Sequence, residues 1–265
     1  TAASSGTDLN GAAAQAAART IRKRLAAFAV EHYGVKAADV VFRANKVKVG
    51  RRNLAFEELV GQAFRARVSL SSTGYFRTPV IHYDRDKARG RPFRYFSYGA
   101  AVSEVIIDTL TGENKLLRAD ILHDAGKSIN PAIDLGQVEG GFVQGMGWLT
   151  MEELWWDDAG RLMTHAPSTY KIPVASDVPA DFRVQLLETG RNRAHVVYRS
   201  KAVGEPPLML GISVFHAIKD AIASVGDYRF SPRLDSPATP ERILMTVEAL
   251  RARLSSSADD ARAAE

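Results

Sequence analysis

Glu205 lies in the segment Ser200-Lys201-Ala202-Val203-Gly204-Glu205-Pro206-Pro207, between a glycine and two prolines and among small or apolar neighbours. The prolines fix the backbone beyond it, and Gly204 lets another group approach closely. A carboxylate held in apolar surroundings keeps its proton more tightly than one in water, which suits a general base working near neutral pH. The same residue could instead cap the helix that follows, or pair with Lys201. Residue types alone leave both readings open.

A second segment, Gly136-Gln137-Val138-Glu139-Gly140-Gly141-Phe142-Val143-Gln144-Gly145-Met146-Gly147, has five glycines in twelve residues. In a helix each costs about 1 kcal/mol relative to alanine, so their presence needs a backbone or a flat ligand that must come close. Gln137 and Gln144 are two helical turns apart, so both can offer amide donors and acceptors from one face. A tightly packed helix with solvated glutamines is the competing reading. His123, His165, His195 and His216 are scattered without paired metal-ligand spacing and read as surface or satisfied core groups. No protein metal ligands are expected. Tyr95, Phe96 and Tyr98 read as hairpin core.

The elements that must carry these residues follow from period and punctuation. Residues 1–10 are small and polar and read as a loop, Gly11 to Phe28 as a helix, and Gly34 as its left-handed cap. Val35–Arg52 reads as a strand-and-loop excursion and Phe56–Phe64 as a helix. Tyr95 to Asp108 alternates with period two, turns at Leu110–Asn114, and returns over Leu116–Leu122 as an antiparallel hairpin. Ile133 to Leu154 is the longest helix-like run. Phe182–Leu187 and His195–Val197 read as strands, Gly211–Val225 as a helix, and Pro240–Leu254 as a final helix. Residues 255–265 read as a polar, disordered tail. The mixed order of elements predicts an α+β fold with antiparallel hairpins over residues 1–254.

Composition narrows the function. There are 35 lysines and arginines against 30 acids, a net charge of +5 over 265 residues, with no basic block dense enough to track a phosphate backbone. Nucleic acid is therefore not the expected partner. Zero cysteines exclude a disulfide framework, a thiol nucleophile and an iron–sulfur cluster held by this chain. No apolar stretch approaches a membrane span, and no leader precedes the first helix, so a cytoplasmic location without membrane contact is expected.

The two glycine-rich segments do not stand alone. Thr1–Gly11 (TAASSGTDLNG), Arg67–Pro79, Phe93–Val105, Ile129–Leu154, Pro167–Pro173 (PSTYKIP), Ser200–Ile222 and Arg233–Ile243 together resemble the molybdenum-cofactor subunit of the xanthine dehydrogenase family. They recur in that family's order over nearly the whole chain, except Val35–Ala66 and the tail. The resemblance implies hydroxylation of a heteroaromatic carbon with oxygen from water at a molybdenum ion held by a pterin dithiolene. Glu205 matches the general base of that reaction. Gln137 matches a pterin ligand, Ala2, Ala3 and Ser4 match a loop beside molybdenum and pterin, and Gly204 lies next to the base. Electrons would leave through 2Fe-2S clusters and FAD, on other chains or regions, to NAD.

The match has gaps. The family's other cofactor loops and its purine-orienting residues have no counterpart in this sequence. The expected partners are therefore the other chains of the same enzyme, namely the N-terminal part of the molybdenum domain and the iron–sulfur and flavin portion. A small purine is the expected substrate and a dimer of multi-chain protomers the expected assembly. Two other readings stand beside this one: a related molybdenum hydroxylase such as an aldehyde oxidase, and a non-catalytic basic scaffolding module.

Overall fold

The computed structural model describes residues 3–263, with side chains described for residues 4–256. The architecture is α+β. Where the sequence alone suggests one portion over residues 1–254, the chain forms two compact units, Thr1–Arg94 and Tyr95–Glu265.

In the N-terminal unit, a 3₁₀ turn (Ala3–Ser5) and a π-helical turn (Thr7–Gly11) precede helix α1 (Ala12–Tyr33). The loop expected over residues 1–10 is therefore corrected for its described part. Gly6 already has helical angles (φ −54°, ψ −49°), and Asp8 sits in the first turn, where a negative charge suits the positive end of the helix dipole. Gly34 stops α1 with φ +63°, as its position predicts. The basic excursion that follows is a three-stranded antiparallel sheet of β1 (Val40–Arg43), β2 (Lys46–Val49) and β3 (Arg52–Ala55). Ala44 and Asn45 both take positive φ between β1 and β2, the requirement of a tight two-residue hairpin turn. Val47 and Val49 face inward and Lys46 and Lys48 outward. The inward pair packs with Leu25 and Ala29 of α1 and with Leu59 and Ala63 of α2 (Phe56–Arg65). A small ribbon, β4 (His82–Asp84) and β5 (Arg89–Arg91), completes this unit.

The C-terminal unit is built on the expected hairpin, β6 (Gly99–Ile107) and β7 (Asn114–His123), paired antiparallel from Gly99↔His123 to Ile107↔Asn114. Asp108 shapes the turn by accepting the N–H of Leu110 at 2.7 Å. A third strand, β8 (Asp181–Leu186), joins β7 in parallel, a pairing the period-two pattern does not reveal. Parallel strands need a long crossover, and here it contains helix α3 (Pro131–Thr150). Asn130 caps α3 and Pro131 opens it. Helices α4 (Ile212–Ser224) and α5 (Pro240–Ala263) join α3 over one sheet face. The core is Leu116, Ala119 and Ile121 from β7 with Val138, Phe142, Met146, Val214, Ile218, Ile222, Ile243 and Val247 from the helices. The other sheet face is uncovered and carries exposed Val102, Ile106 and Leu122 beside an ion-pair lattice of Arg118, Asp120, Asp181 and Arg183.

Several boundaries shift for tertiary reasons. β6 begins at Gly99 and not Tyr95, and before it the Tyr95 hydroxyl and Ser97 Oγ reach out to the backbone of Ala202. Phe96 and Tyr98 are exposed and do not form hairpin core. His195–Val197 is not a strand: the buried Asn192 side chain accepts the Ala194 N–H at 2.9 Å, and the chain then tightens into a 3₁₀ turn, Val197–Arg199. The last helix runs past Leu254 to Ala263, through most of the segment that composition suggests is a tail, and with α1 it exceeds α3 in length.

The five glycines of α3 divide sharply. A Cβ on Gly145 would lie 2.1 Å from the Leu208 carbonyl oxygen, and one on Gly141 would lie 2.9 Å from Pro207 Cβ, whereas Gly136 and Gly140 have no atom within 4 Å. Gly145→Ala should therefore cost about 1–3 kcal/mol of stability through forced overpacking. Gly136→Ala should gain about 0.5–1 kcal/mol, because only the helical entropy penalty is removed. Urea unfolding of the two variants beside the parent checks both signs; equal effects would contradict the packing described.

Candidate active site

The segment leading to Glu205 is tied down residue by residue. Ser200, 5% exposed, gives its carbonyl to Asn192 Nδ2 at 2.9 Å. The Lys201 N–H donates to the Ala125 carbonyl at 2.8 Å, and its ammonium donates to Asp124 Oδ2 at 2.6 Å. Ala202 is held on both sides: its N–H donates to the Tyr95 hydroxyl at 2.9 Å, and its carbonyl accepts from Ser97 Oγ at 3.0 Å. Beyond Glu205 the chain closes into a 3₁₀ helix, Pro206–Gly211, with Pro207 and Gly211 buried. Its backbone lies directly on α3 at Gly141 and Gly145. Glu205 is thus one residue in a short span fixed at both ends.

Its side chain is exposed, as is Gly204. This corrects the expected apolar enclosure: Pro207 is buried and Val203 packs against the core, which leaves the carboxylate outside. Glu205 makes no side-chain capping bond to the 3₁₀ helix, and the Lys201 ammonium pairs with Asp124.

Gln137 and Gln144 are both exposed and share a face of α3 with Ile133, Gly136, Gly140 and Trp148. Because Gly136 and Gly140 meet open space, a flat group can reach the helix backbone on either side of Gln137. The residues present fit a planar cofactor with polar edges. Ala2 lies outside the described residues. Ala3 and Ser4 form the first turn of the N-terminal unit, while Gln137, Gly204 and Glu205 belong to the C-terminal unit. Among the described residues no three His, Asp or Glu side chains cluster as ligands for a metal ion. The cleft lined by Ile107, Asp108, Leu116, Met146, Thr150 and Val214 includes none of the candidate residues.

Sequence patterns miss a buried polar group that includes Lys201, four residues before Glu205. Asp124 and Lys201 form a buried ion pair, and His123 is 1% exposed with neither ring nitrogen partnered. His123 is therefore not the satisfied core group its isolation suggests. The only signal in the sequence is a charged residue at the end of an apolar strand and another 77 residues later.

Comparison with known proteins adds an independent finding. The description "Molybdopterin cofactor-binding domain" matches residues 1–179. Over 249 residues the chain is 49% identical to xanthine dehydrogenase/oxidase from Mus musculus, covering 92% of the chain and 17% of that relative. It is 44% identical over 248 residues to aldehyde oxidase 2 from Macaca fascicularis, with the same coverage of 92% and 17%. The chain thus spans 17% of the length of these curated relatives. Among solved structures, reconstituted CO dehydrogenase from Oligotropha carboxidovorans matches with a TM-score of 0.73 at 23% identity, over 92% of this chain and 29% of that one. That likeness is one of fold. Among the described residues no helix is long and apolar enough to cross a membrane.

Burial lowers the pKa of His123, and the nearby Lys201 charge acts in the same direction, against Asp124, which raises it. The folded protein thus holds His123 neutral where the unfolded chain, with an ordinary pKa of about 6.5, takes up a proton. This contribution to stability is complete above the unfolded pKa and is lost as pH falls below it through the folded pKa. Thermal unfolding between pH 7.5 and 5 should therefore show a smaller acid loss in His123→Met than in the parent. Identical pH dependence would contradict a buried neutral histidine.

Proposed function

The chain belongs to the molybdopterin cofactor-binding domain family, and on that premise we propose that it supplies the general base and part of the cofactor cradle of a molybdenum hydroxylase. The observation that carries the proposal is the span that bears Glu205: its carboxylate is exposed, and the chain on either side of it is anchored by the Tyr95–Ser97 clamp on Ala202 and by the seating of Pro206–Gly211 on α3. Such fixing suits a base, because proton transfer needs its oxygen within hydrogen-bond reach of the proton.

When bound, the molybdenum-pterin cofactor supplies the centre at which oxygen from water is passed to a substrate carbon and electrons are collected. The chain's own residues do the rest. Glu205 accepts a proton on a carboxylate oxygen, and Gly204 keeps space beside it for the reacting group. The Gln137 amide would hold the polar edge of the pterin, and the open space at Gly136 and Gly140 would admit a ring system to the helix surface. Ala2, Ala3 and Ser4, by their resemblance to the family's cofactor loop, would offer backbone N–H groups to the cofactor. In the assembled enzyme, 2Fe-2S clusters and FAD on other regions would take up the electrons, with NAD as their acceptor. Those regions, including the N-terminal part of the molybdenum domain, are the chain's partners.

For the substrate we favour a purine, with hypoxanthine or xanthine oxidised to uric acid, on the ordered blocks PSTYKIP, GEPPLMLG and RLDSPATPERI. An aldehyde is the second reading, supported by the 44% identity to aldehyde oxidase 2. Turnover of hypoxanthine against a simple aldehyde by the assembled enzyme separates the two. A non-catalytic scaffold gives no reason for the fixed span around Glu205.

Glu205→Gln keeps shape and hydrogen bonding but cannot accept the proton, so turnover should fall at least about 10²–10⁴-fold. Molybdenum content and melting temperature should hardly change. Near-normal turnover in a fully metallated variant would sink this mechanism. In Gln137→Ala, cofactor binding should weaken by about 1–2 kcal/mol through one lost hydrogen bond and an unpaired polar edge. The readout is molybdenum per copy at unchanged fold, and unaltered occupancy together with an unaltered rate would reduce Gln137 to a surface residue.

A further inference from the structure

We infer that the buried Asp124–Lys201 ion pair is a positioning device for Glu205; the inference rests on the reading of Glu205 as the base. The two side chains are 10% and 6% exposed and meet at 2.6 Å. Burying a charge pair is expensive, and an apolar pair of similar volume commonly stabilises a core as well or better. Stability alone is therefore a poor reason for this pair, whereas a fixed geometry is a good one.

The geometry it fixes is specific. Asp124 uses both oxygens: Oδ2 accepts from Lys201 Nζ, and Oδ1 accepts the Gly126 N–H at 2.8 Å. Gly190 packs so closely on Oδ1 that a Cβ there would lie 2.6 Å away. The Lys201 ammonium also lies 4.6 Å from the centre of the Tyr98 ring. The exit of β7 is thereby locked to a residue four positions before Glu205. The next residue, Ala202, is clamped by Tyr95 and Ser97, and the far side of Glu205 is seated on α3. Between these anchors only Val203 and Gly204 separate the clamp from the carboxylate. A shift of Lys201 is passed along this short path, and a displacement of about 1 Å in a reacting group is enough to cost on the order of 10²-fold in rate.

The test uses the assembled holoenzyme and four variants: Asp124→Glu, Lys201→Met, the double variant Asp124→Leu/Lys201→Met, and Glu205→Gln as reference. Melting temperature, molybdenum per copy, kcat and KM are measured for each. Lys201→Met leaves Asp124 buried without its partner and should lose both stability and kcat. The double variant leaves no buried charge unpaired but takes the acceptor from the Gly126 N–H, so it should regain part of the melting temperature lost in Lys201→Met and keep its molybdenum, yet remain ten- to a hundredfold low in kcat with KM within about twofold. Asp124→Glu keeps the charge but lengthens the tie, so it should lower kcat without removing the cofactor. A double variant whose kcat returns with its melting temperature, or an Asp124→Glu enzyme with parental kcat, overturns the positioning role while Glu205→Gln stays inactive. Full turnover in Glu205→Gln overturns the base reading itself, and the positioning inference with it.

Discussion

Direct contact between two backbones, that of α3 and that of the 3₁₀ helix Pro206–Gly211, is the constraint on which the rest of the site depends. It requires glycine on both partners. A Cβ on Gly211 would lie 2.5 Å from the backbone of Gly145, just as one on Gly145 would strike Leu208. Side chains here would hold the two elements apart and move Glu205 with the segment that bears it. The contact also fixes which face of α3 points inward, since Gly141, Phe142 and Gly145 must be buried together with Val138. Gln137 and Gln144 are left on the outer face as a consequence of this packing.

Polar groups supply the second level of order. The core of the C-terminal unit is aliphatic and aromatic and fixes which faces are buried, through contacts that carry no direction of their own. The residues before Glu205 are held instead by directional bonds from three other segments: Asn192 to Ser200, Asp124 to Lys201, and Tyr95 and Ser97 to Ala202. Each of these tolerates little displacement. An aliphatic core therefore sets the fold, and a small polar network at its edge sets the position of the carboxylate.

Local elements were legible in the sequence because local interactions decide them. The β6–β7 hairpin, the capped end of α1 at Gly34 and the inward Ile218 and Ile222 of α4 all follow from period and turn chemistry. The glycine-flanked segments around Gln137 and Glu205 were also visible, with the chemistry suggested by their resemblance to one enzyme family. What could not be read is what distant residues decide. The parallel docking of β8, the diversion of Tyr95 and Ser97 from strand to clamp, and the Asp124–Lys201 pair each join segments far apart in the chain. The exposure of Glu205 was misjudged for the same reason. Its apolar neighbours in sequence turn toward the core and not toward the carboxylate.

On the function proposed for it, this chain forms part of a molybdenum-pterin site with Glu205 at its reacting edge. Metal analysis and pterin quantification of the enzyme assembled and purified around this chain test it most directly. The expected result is one molybdenum and one pterin for each copy of the chain. A folded, fully assembled preparation containing neither would contradict it.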